Sequence, residues 1–228
     1  MSRLVLMRHG QSTWNAQGRF TGWVDVGLTE IGMGEAVRAG AELRDRCLRP
    51  DVVHTSLLTR SILTANLALG EAGWLWVPQQ RSWRLNERHY GALAGRNRDE
   101  TAAVHGADAV LQWRRSYRTR PPETTDNSAF TSDPRYSEIL ATDIPVTESL
   151  ADVEVRLLPY WYDAILPDLD SGRNVLIVAH GNSLRALTKH LEGLSESAVE
   201  LLEIPTASPR VYEVERTGPG AAVSVCRV

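Results

Sequence analysis

The chain has 228 residues, 43% hydrophobic and 23% charged, the balance of an ordinary globular protein able to bury one sizeable core. Its formal net charge of -3 offers no footprint for nucleic acid or an anionic membrane surface, and no apolar run approaches the roughly 20 residues that cross a bilayer. Two cysteines, Cys47 and Cys226, lie far apart and outside any CxxC pattern, which argues against a disulfide scaffold or a zinc site and fits a reducing cytosol.

Met1 leads directly into the first predicted strand, with no charged-then-apolar leader, so the expectation is a soluble, cytoplasmic protein. Leu4 to Met7 reads as a buried strand that stops at Arg8, His9 and Gly10. Thr29 can cap a helix over "EIGMGEAVRAGAELRDRC", where Ala36, Gly40 and Leu43 share a face and Gly32 and Gly34 weaken the start. "DVVHTS" reads as a second strand, with Ser56 positioned to cap the helix that carries Arg60. "WLWVPQQ" reads as a third strand stopped by Pro78.

From Arg118 to Ser149 the pattern breaks into Pro, Thr, Ser, Asp and Asn, which predicts a lid or substrate-binding excursion at about 118–149. "VLIVA" is the clearest strand and stops at His180 and Gly181. The helix from Ser183 carries Leu184, Leu187, Leu191 and Leu194 at three- and four-residue steps, with Gly193 where a stop is expected. "RVYEV" adds an edge strand. Strands alternating with helices predict an α/β fold, a three-layer α/β/α arrangement with a mostly parallel central sheet and helices on both faces, as a single domain over 1–228.

Two strands far apart in sequence thus end in His-Gly. Ligands of open parallel sheets bind beyond the carboxyl ends of the strands, where glycine permits a sharp turn and helix N-termini offer unpaired N–H groups to an anion. Arg8 adjoins His9, and Arg60 lies in the first turn of another helix that follows a strand. Two histidines and two arginines suit a phosphoryl group better than a metal, because arginine repels a cation while its fork of donors matches phosphate oxygens. No HExxH or similarly spaced ligand set occurs, and His54, His105 and His190 receive no role. A lone His at a strand end is usually structural; the pair carries the signal.

"LVLMRHGQSTWN", "RFTGWVDVGLT", "TSLLTRSILTA", "WRLNERHYGALAG", "WRRSY" and "VLIVAHGNSLRAL" follow one another from Leu4 to about Tyr212 and resemble the cofactor-dependent phosphoglycerate mutases of the histidine phosphatase superfamily. That resemblance implies interconversion of 3-phosphoglycerate and 2-phosphoglycerate through a phosphohistidine, primed by 2,3-bisphosphoglycerate and needing no metal. It makes His9 the nucleophile, Arg8, Arg60 and His180 the clamp on the reacting phosphoryl group, and Glu87 the group that exchanges a proton with the substrate hydroxyl. Around the nucleophile it assigns Gly10, Gln11, Ser12, Thr13, Trp14 and Asn15 to binding, with Thr21, Gly22, Gly181 and Asn182 completing that end. For the remote anionic group it assigns Arg98, Arg114 and Arg115, together with Arg88 and Tyr90, and it counts His89 among the binding residues. The implied partners are small phosphorylated carboxylic acids, with no nucleic acid and no membrane. Sequence leaves the oligomeric state open between the homodimer and homotetramer common in the family.

Three departures bear on the balance between mutase and phosphatase activity. Gln11 stands where the family usually has glutamate, Arg98 where it usually has lysine, and "TASP" where "TGIP" is usual. The sequence then stops without the flexible tail that in many members extends over the active site, which makes the 118–149 excursion the expected lid. The competing readings are a phosphohydrolase of the same superfamily, a relative acting on another phosphorylated acid in a specialised pathway, and, last, a catalytically silent metabolite-binding protein.

Overall fold

A computed structural model describes residues 2–216 and 223–227. Six strands, β1 (Ser2–Arg8), β2 (Val52–Thr55), β3 (Gln79–Arg81), β4 (Val175–Ala179), β5 (Arg210–Arg216) and β6 (Val223–Arg227), form one sheet in the order β3-β2-β4-β1-β5-β6. The first four are mutually parallel, while β5 runs antiparallel to β1 and β6 antiparallel to β5. The helices are α1 (Thr13–Ala16), α2 (Glu30–Asp45), α3 (Thr59–Ala72), α4 (Arg98–His105), α5 (Ala107–Arg115) and α6 (Ser128–Thr131). After the excursion come α7 (Leu150–Tyr160), α8 (Leu166–Asp170), α9 (Gly181–Glu192) and α10 (Glu196–Leu201).

The near-continuous apolar runs of β1 and β4 follow from burial on both faces. Leu4, Leu6, Val175 and Ile177 meet Leu157 of α7, Leu184 and Leu187 of α9 and the π-helical turn Trp161–Ile165. Val5, Met7, Leu176 and Val178 point the other way, onto Ala39 and Leu43 of α2 and Ala65, Ala68 and Leu69 of α3. Small residues let α2 and α3 touch backbone to backbone: a Cβ on Gly40 would lie 2.2 Å from the Ala68 carbonyl oxygen. Thr29 caps α2 through Oγ1, which accepts from Gly32 N at 3.0 Å, and Gly193 ends α9 at φ 61°.

Three expectations need correction. The third strand starts after Pro78, not in "WLWV"; that run forms a turn in which Leu75 is 61% and Trp76 66% exposed, while Val77 is buried against the sheet without joining it. "RVYEV" is not an edge, because β5 lies between β1 and β6 with Val211, Tyr212 and Val214 buried. Leu58, not Ser56, is the N-cap of α3; Asp25 supplies the capping carboxylate, accepting from Thr59 N at 2.8 Å and Thr59 Oγ1 at 2.7 Å. Of the last sequence stretch, Thr217 to Ala222 and Val228 lie outside the described residues.

The excursion is a folded segment with its stems tied together. Thr147 Oγ1 donates to Pro121 O at 2.8 Å and Thr124 N to Val146 O at 3.2 Å. Tyr136 is buried against Trp23, ring centroids 5.0 Å apart, and its hydroxyl accepts from Asn86 Nδ2 at 3.0 Å.

Candidate active site

Strands β1 and β4 are neighbours in register, Arg8 opposite Ala179, so their carboxyl ends deliver both His-Gly turns to one place. His9 N donates to Ala179 O at 2.9 Å, and the rings of His9 and His180 lie 5.0 Å apart. His9 Nδ1 is 2.7 Å from Gly10 O. A carbonyl only accepts, so Nδ1 carries the ring proton and Nε2 keeps its lone pair. Burial, then the charges of Arg60 and Arg8, hold the His9 pKa well below the ordinary value, outweighing the Gly10 hydrogen bond. His180 bonds through Nε2 to Ser56 Oγ at 2.7 Å, and burial followed by Arg60 holds it well below the ordinary value too. Both rings are neutral near pH 7.

Positive charge surrounds them. Buried Arg60 is fixed by Gly22 O at 2.8 Å and Val24 O at 2.9 Å, and burial lowers its pKa to about 10. Arg8 Nη1 donates to Ile204 O at 3.0 Å, while its buried Nε has no partner among the described residues. Glu87 lies in the same wall at the α9 N-terminus, where Oε1 accepts from Asn182 N at 3.1 Å and Arg88 N at 2.8 Å. Gly181 fits between the two groups: a Cβ there would lie 3.7 Å from both Arg8 Nε and Glu87 Oε2.

The cationic end comes from α4 and α5. Arg98 opens α4, and Arg114 and Arg115 close α5; burial and then Arg98 lower the Arg114 pKa. Buried arginines behind them act as brackets. Arg88 donates to Arg114 O at 2.9 Å, and Arg185 to Arg115 O at 3.1 Å and Asn182 Oδ1 at 3.1 Å. Tyr90 OH receives Arg88 Nη2 at 3.1 Å and Asn182 Nδ2 at 3.2 Å. Burial favours its neutral form, but Arg88 and these hydrogen bonds outweigh that and lower its pKa.

One cleft of about 300 Å³ is lined by Arg8, His9, Gln11, Asn15, Thr21, Gly22, Arg60, Glu87, Tyr90, Arg98, Arg114, Arg115, Gly181 and Asn182. His180 lies against His9 beneath them. The other residues singled out from the sequence sit behind the wall. Ser12 caps α1 in a reciprocal box with Asn15, and Trp14 packs on Gly95. Gly10 is needed for packing, since a Cβ there would lie 2.2 Å from Gly32 O. Gln11 Oε1 accepts from Thr29 Oγ1 at 2.9 Å, while Gln11 N donates to Glu35 Oε2 at 2.7 Å, so a carboxylate still touches this loop. His89 N donates to Glu148 Oε2 at 2.7 Å. Ala207, in "TASP", adopts φ 46° and donates its N–H to Arg8 O at 2.8 Å.

Sequence reasoning missed Phe20, Arg185, Glu203, Ile204 and Thr206, which also line the cleft. Arg185 follows Asn182 by one helical turn within "HGNSLR", a spacing that could have exposed it; nothing in the sequence marks Glu203. It missed Arg156 as well, whose guanidinium meets Glu148 at 2.6 Å and the carbonyls of Asn86 and Glu87 at 2.9 Å each, pinning the Glu87 loop to α7. Among the described residues no three His, Cys, Asp or Glu side chains gather in a way that could hold a metal ion, and no helix is long and apolar enough to cross a membrane.

The family model of the histidine phosphatase superfamily (branch 1) matches residues 4–225. The chain belongs to this superfamily. A 2,3-bisphosphoglycerate-dependent phosphoglycerate mutase from Thermobifida fusca is 57% identical over 94% of this chain and 87% of its own. The Streptomyces avermitilis protein of the same name is 56% identical over 93% of this chain and 85% of its own. Among solved structures, a mycobacterial glucosyl-3-phosphoglycerate phosphatase in complex with VO3 superposes with a TM-score of 0.76 at 25% identity, covering 100% of this chain and 98% of that one. Histidine phosphatase superfamily members thus share this chain's three-layer α/β/α architecture.

Proposed function

We infer that the chain catalyses the 2,3-bisphosphoglycerate-dependent interconversion of 3-phosphoglycerate and 2-phosphoglycerate, with His9 as the phosphoryl acceptor. The observation that carries the site assignment is the cleft itself: a neutral, buried histidine, a carboxylate and two groups of arginines line one cavity. Relatives bearing that activity in their name, at 57% and 56% identity, support the reading. A polyanion fits these residues. Buried Arg8 Nε and Arg88 Nε and Nη1 lack partners among the described residues, and Arg8, Arg60, Arg98, Arg114, Arg115 and Arg185 face only Glu87 and Glu203 as carboxylates of the lining. When bound, 2,3-bisphosphoglycerate supplies the phosphoryl group that primes His9.

His9 Nε2 offers its lone pair to phosphorus as the P–O bond to the ligand's hydroxyl oxygen breaks, and the Gly10 carbonyl keeps the Nδ1 proton in place as the ring gains positive character. Arg8, Arg60 and the N–H groups at the α9 terminus offset charge on the transferring oxygens, which is most of what phosphoryl transfer asks of a protein. Glu87 takes and returns the proton at the substrate hydroxyl oxygen, its Oε1 fixed by two backbone donors. Arg98, Arg114 and Arg115 hold the far anionic group while the ligand reorients.

The test is a coupled assay of isomerisation with and without 2,3-bisphosphoglycerate, alongside mass-spectrometric mapping of acid-labile phosphate. Stimulated isomerisation with label on His9 supports the reading. Phosphate release without isomerisation, or label that persists in His9→Ala, overturns it.

A further inference from the structure

We propose that Glu203 is an internal competitor for the remote anion site, a carboxylate seated on Arg115 that a two-ended ligand has to displace. The inference rests on the reading of Arg115 given above and adds a residue that this reading does not use. Segment 202–206 follows α10 and touches both groups of arginines. Ile204 O accepts from Arg8 Nη1 at 3.0 Å, whereas Glu203 turns its carboxylate onto Arg115 Nη2 and Leu202 O accepts from Arg115 Nη1 at 3.4 Å.

The two carboxylates of the cleft wall differ in how they are held. Glu87 is buried and fixed by two backbone N–H groups. Among the described residues Glu203 forms its ion pair with Arg115, with Arg114 near enough to feel its charge, and its side chain is 69% exposed against 25% for Arg115. A fixed carboxylate suits proton transfer. A tethered but exposed one suits exchange, because a guanidinium fork accepts carboxylate and phosphate oxygens in the same geometry. An ion pair this open to solvent contributes little and weakens with salt, so it orients Arg115 yet yields to a more highly charged group. Once displaced, Glu203 stays near the bound ligand as a like charge and favours its departure.

The decisive measurement compares ligand classes. Dissociation constants for 2,3-bisphosphoglycerate and for vanadate should be determined for wild type, Glu203→Gln, Arg115→Ala and the double variant at two salt concentrations. Glu203→Gln should bind bisphosphoglycerate about two- to fivefold more tightly, with vanadate unchanged, and the gain should shrink at high salt. In the Arg115→Ala background the gain from Glu203→Gln should fall by at least half. Weaker binding, no change, or an equal shift for both ligands in Glu203→Gln, beside the normal loss in Arg115→Ala, would overturn the inference and leave the site reading intact. Unaltered bisphosphate binding in Arg115→Ala would overturn the site reading and the inference with it.

Discussion

Acidification should destabilise this fold through His89, and one substitution isolates the effect. The ring is 1% exposed and packs against Trp23 and Phe130, with centroids 5.9 and 5.0 Å away. Its Nδ1 accepts from Gly91 N at 3.1 Å. A second ring proton would sit on Nδ1, turn that acceptor toward another donor, and bring a charge close to Arg156. Burial, and then Arg156, lower the His89 pKa from 6.5 to about 4. Between those values the unfolded chain binds a proton that the folded chain refuses. Stability is therefore complete above about pH 6.5 and is lost as pH falls toward 4. The distance from 6.5 to about 4, at about 1.4 kcal/mol for each pH unit, makes the full loss roughly 3.5 kcal/mol. Urea unfolding of wild type and His89→Gln at intervals from pH 7 to pH 4.5 reads it out, because His9, His54 and His180 titrate in both chains and cancel in the difference. Between pH 6 and 4.5 wild type should lose about 1.2 kcal/mol more per pH unit than the variant. Parallel curves would refute the assignment of a proton to this ring.

Glu87→Gln should lower turnover by about 10²–10⁴-fold while vanadate binding stays near wild type, and a rate within about threefold would reduce Glu87 to a structural side chain. Gly40→Ala drives a methyl group into the Ala68 carbonyl and should cost about 1–3 kcal/mol in urea unfolding; an unchanged midpoint would mean that α2 and α3 separate freely. Arg156→Met strands Glu148 without its buried partner and should cost about 3–5 kcal/mol, with kcat falling further as the Glu87 loop loosens. Full activity at full stability would show that the loop holds itself.

The elements built by local chemistry were legible. "VLIVA" and "LVLM" carry the apolar runs of doubly buried strands, Thr29 and Gly193 mark the ends of their helices, and the His-Gly turns follow from strand ends. "WLWV" misled because apolar composition alone does not say whether a run meets the sheet. Ser56 misled because the real cap, Asp25, comes from another part of the chain. Gly32 reads as a helix weakener, whereas a Cβ there would lie 2.0 Å from Gln11 O, a contact no local rule contains. The candidate site divides in the same way: several residues of the quoted motifs, His9, Arg60, Glu87 and Asn182 among them, line the cleft, while Arg156, Glu148 and Glu203 act through partners remote in sequence.

The two ends of the cleft are built from different materials. His9 and His180 issue from adjacent central strands, joined by a backbone bond from His9 N to Ala179 O, so neither can move without the sheet. Arg98, Arg114 and Arg115 stand on two short helices outside the sheet, held by side-chain bonds from Arg88 and Arg185 to the α5 carbonyls. Amide exchange should accordingly be slowest at His9 and faster by orders of magnitude at the α4–α5 hairpin. On the proposed reaction, such a division makes the chemistry and the choice of substrate separately evolvable, because the outer helices can lengthen, shift or exchange an arginine while the strands that carry His9 and His180 keep their register.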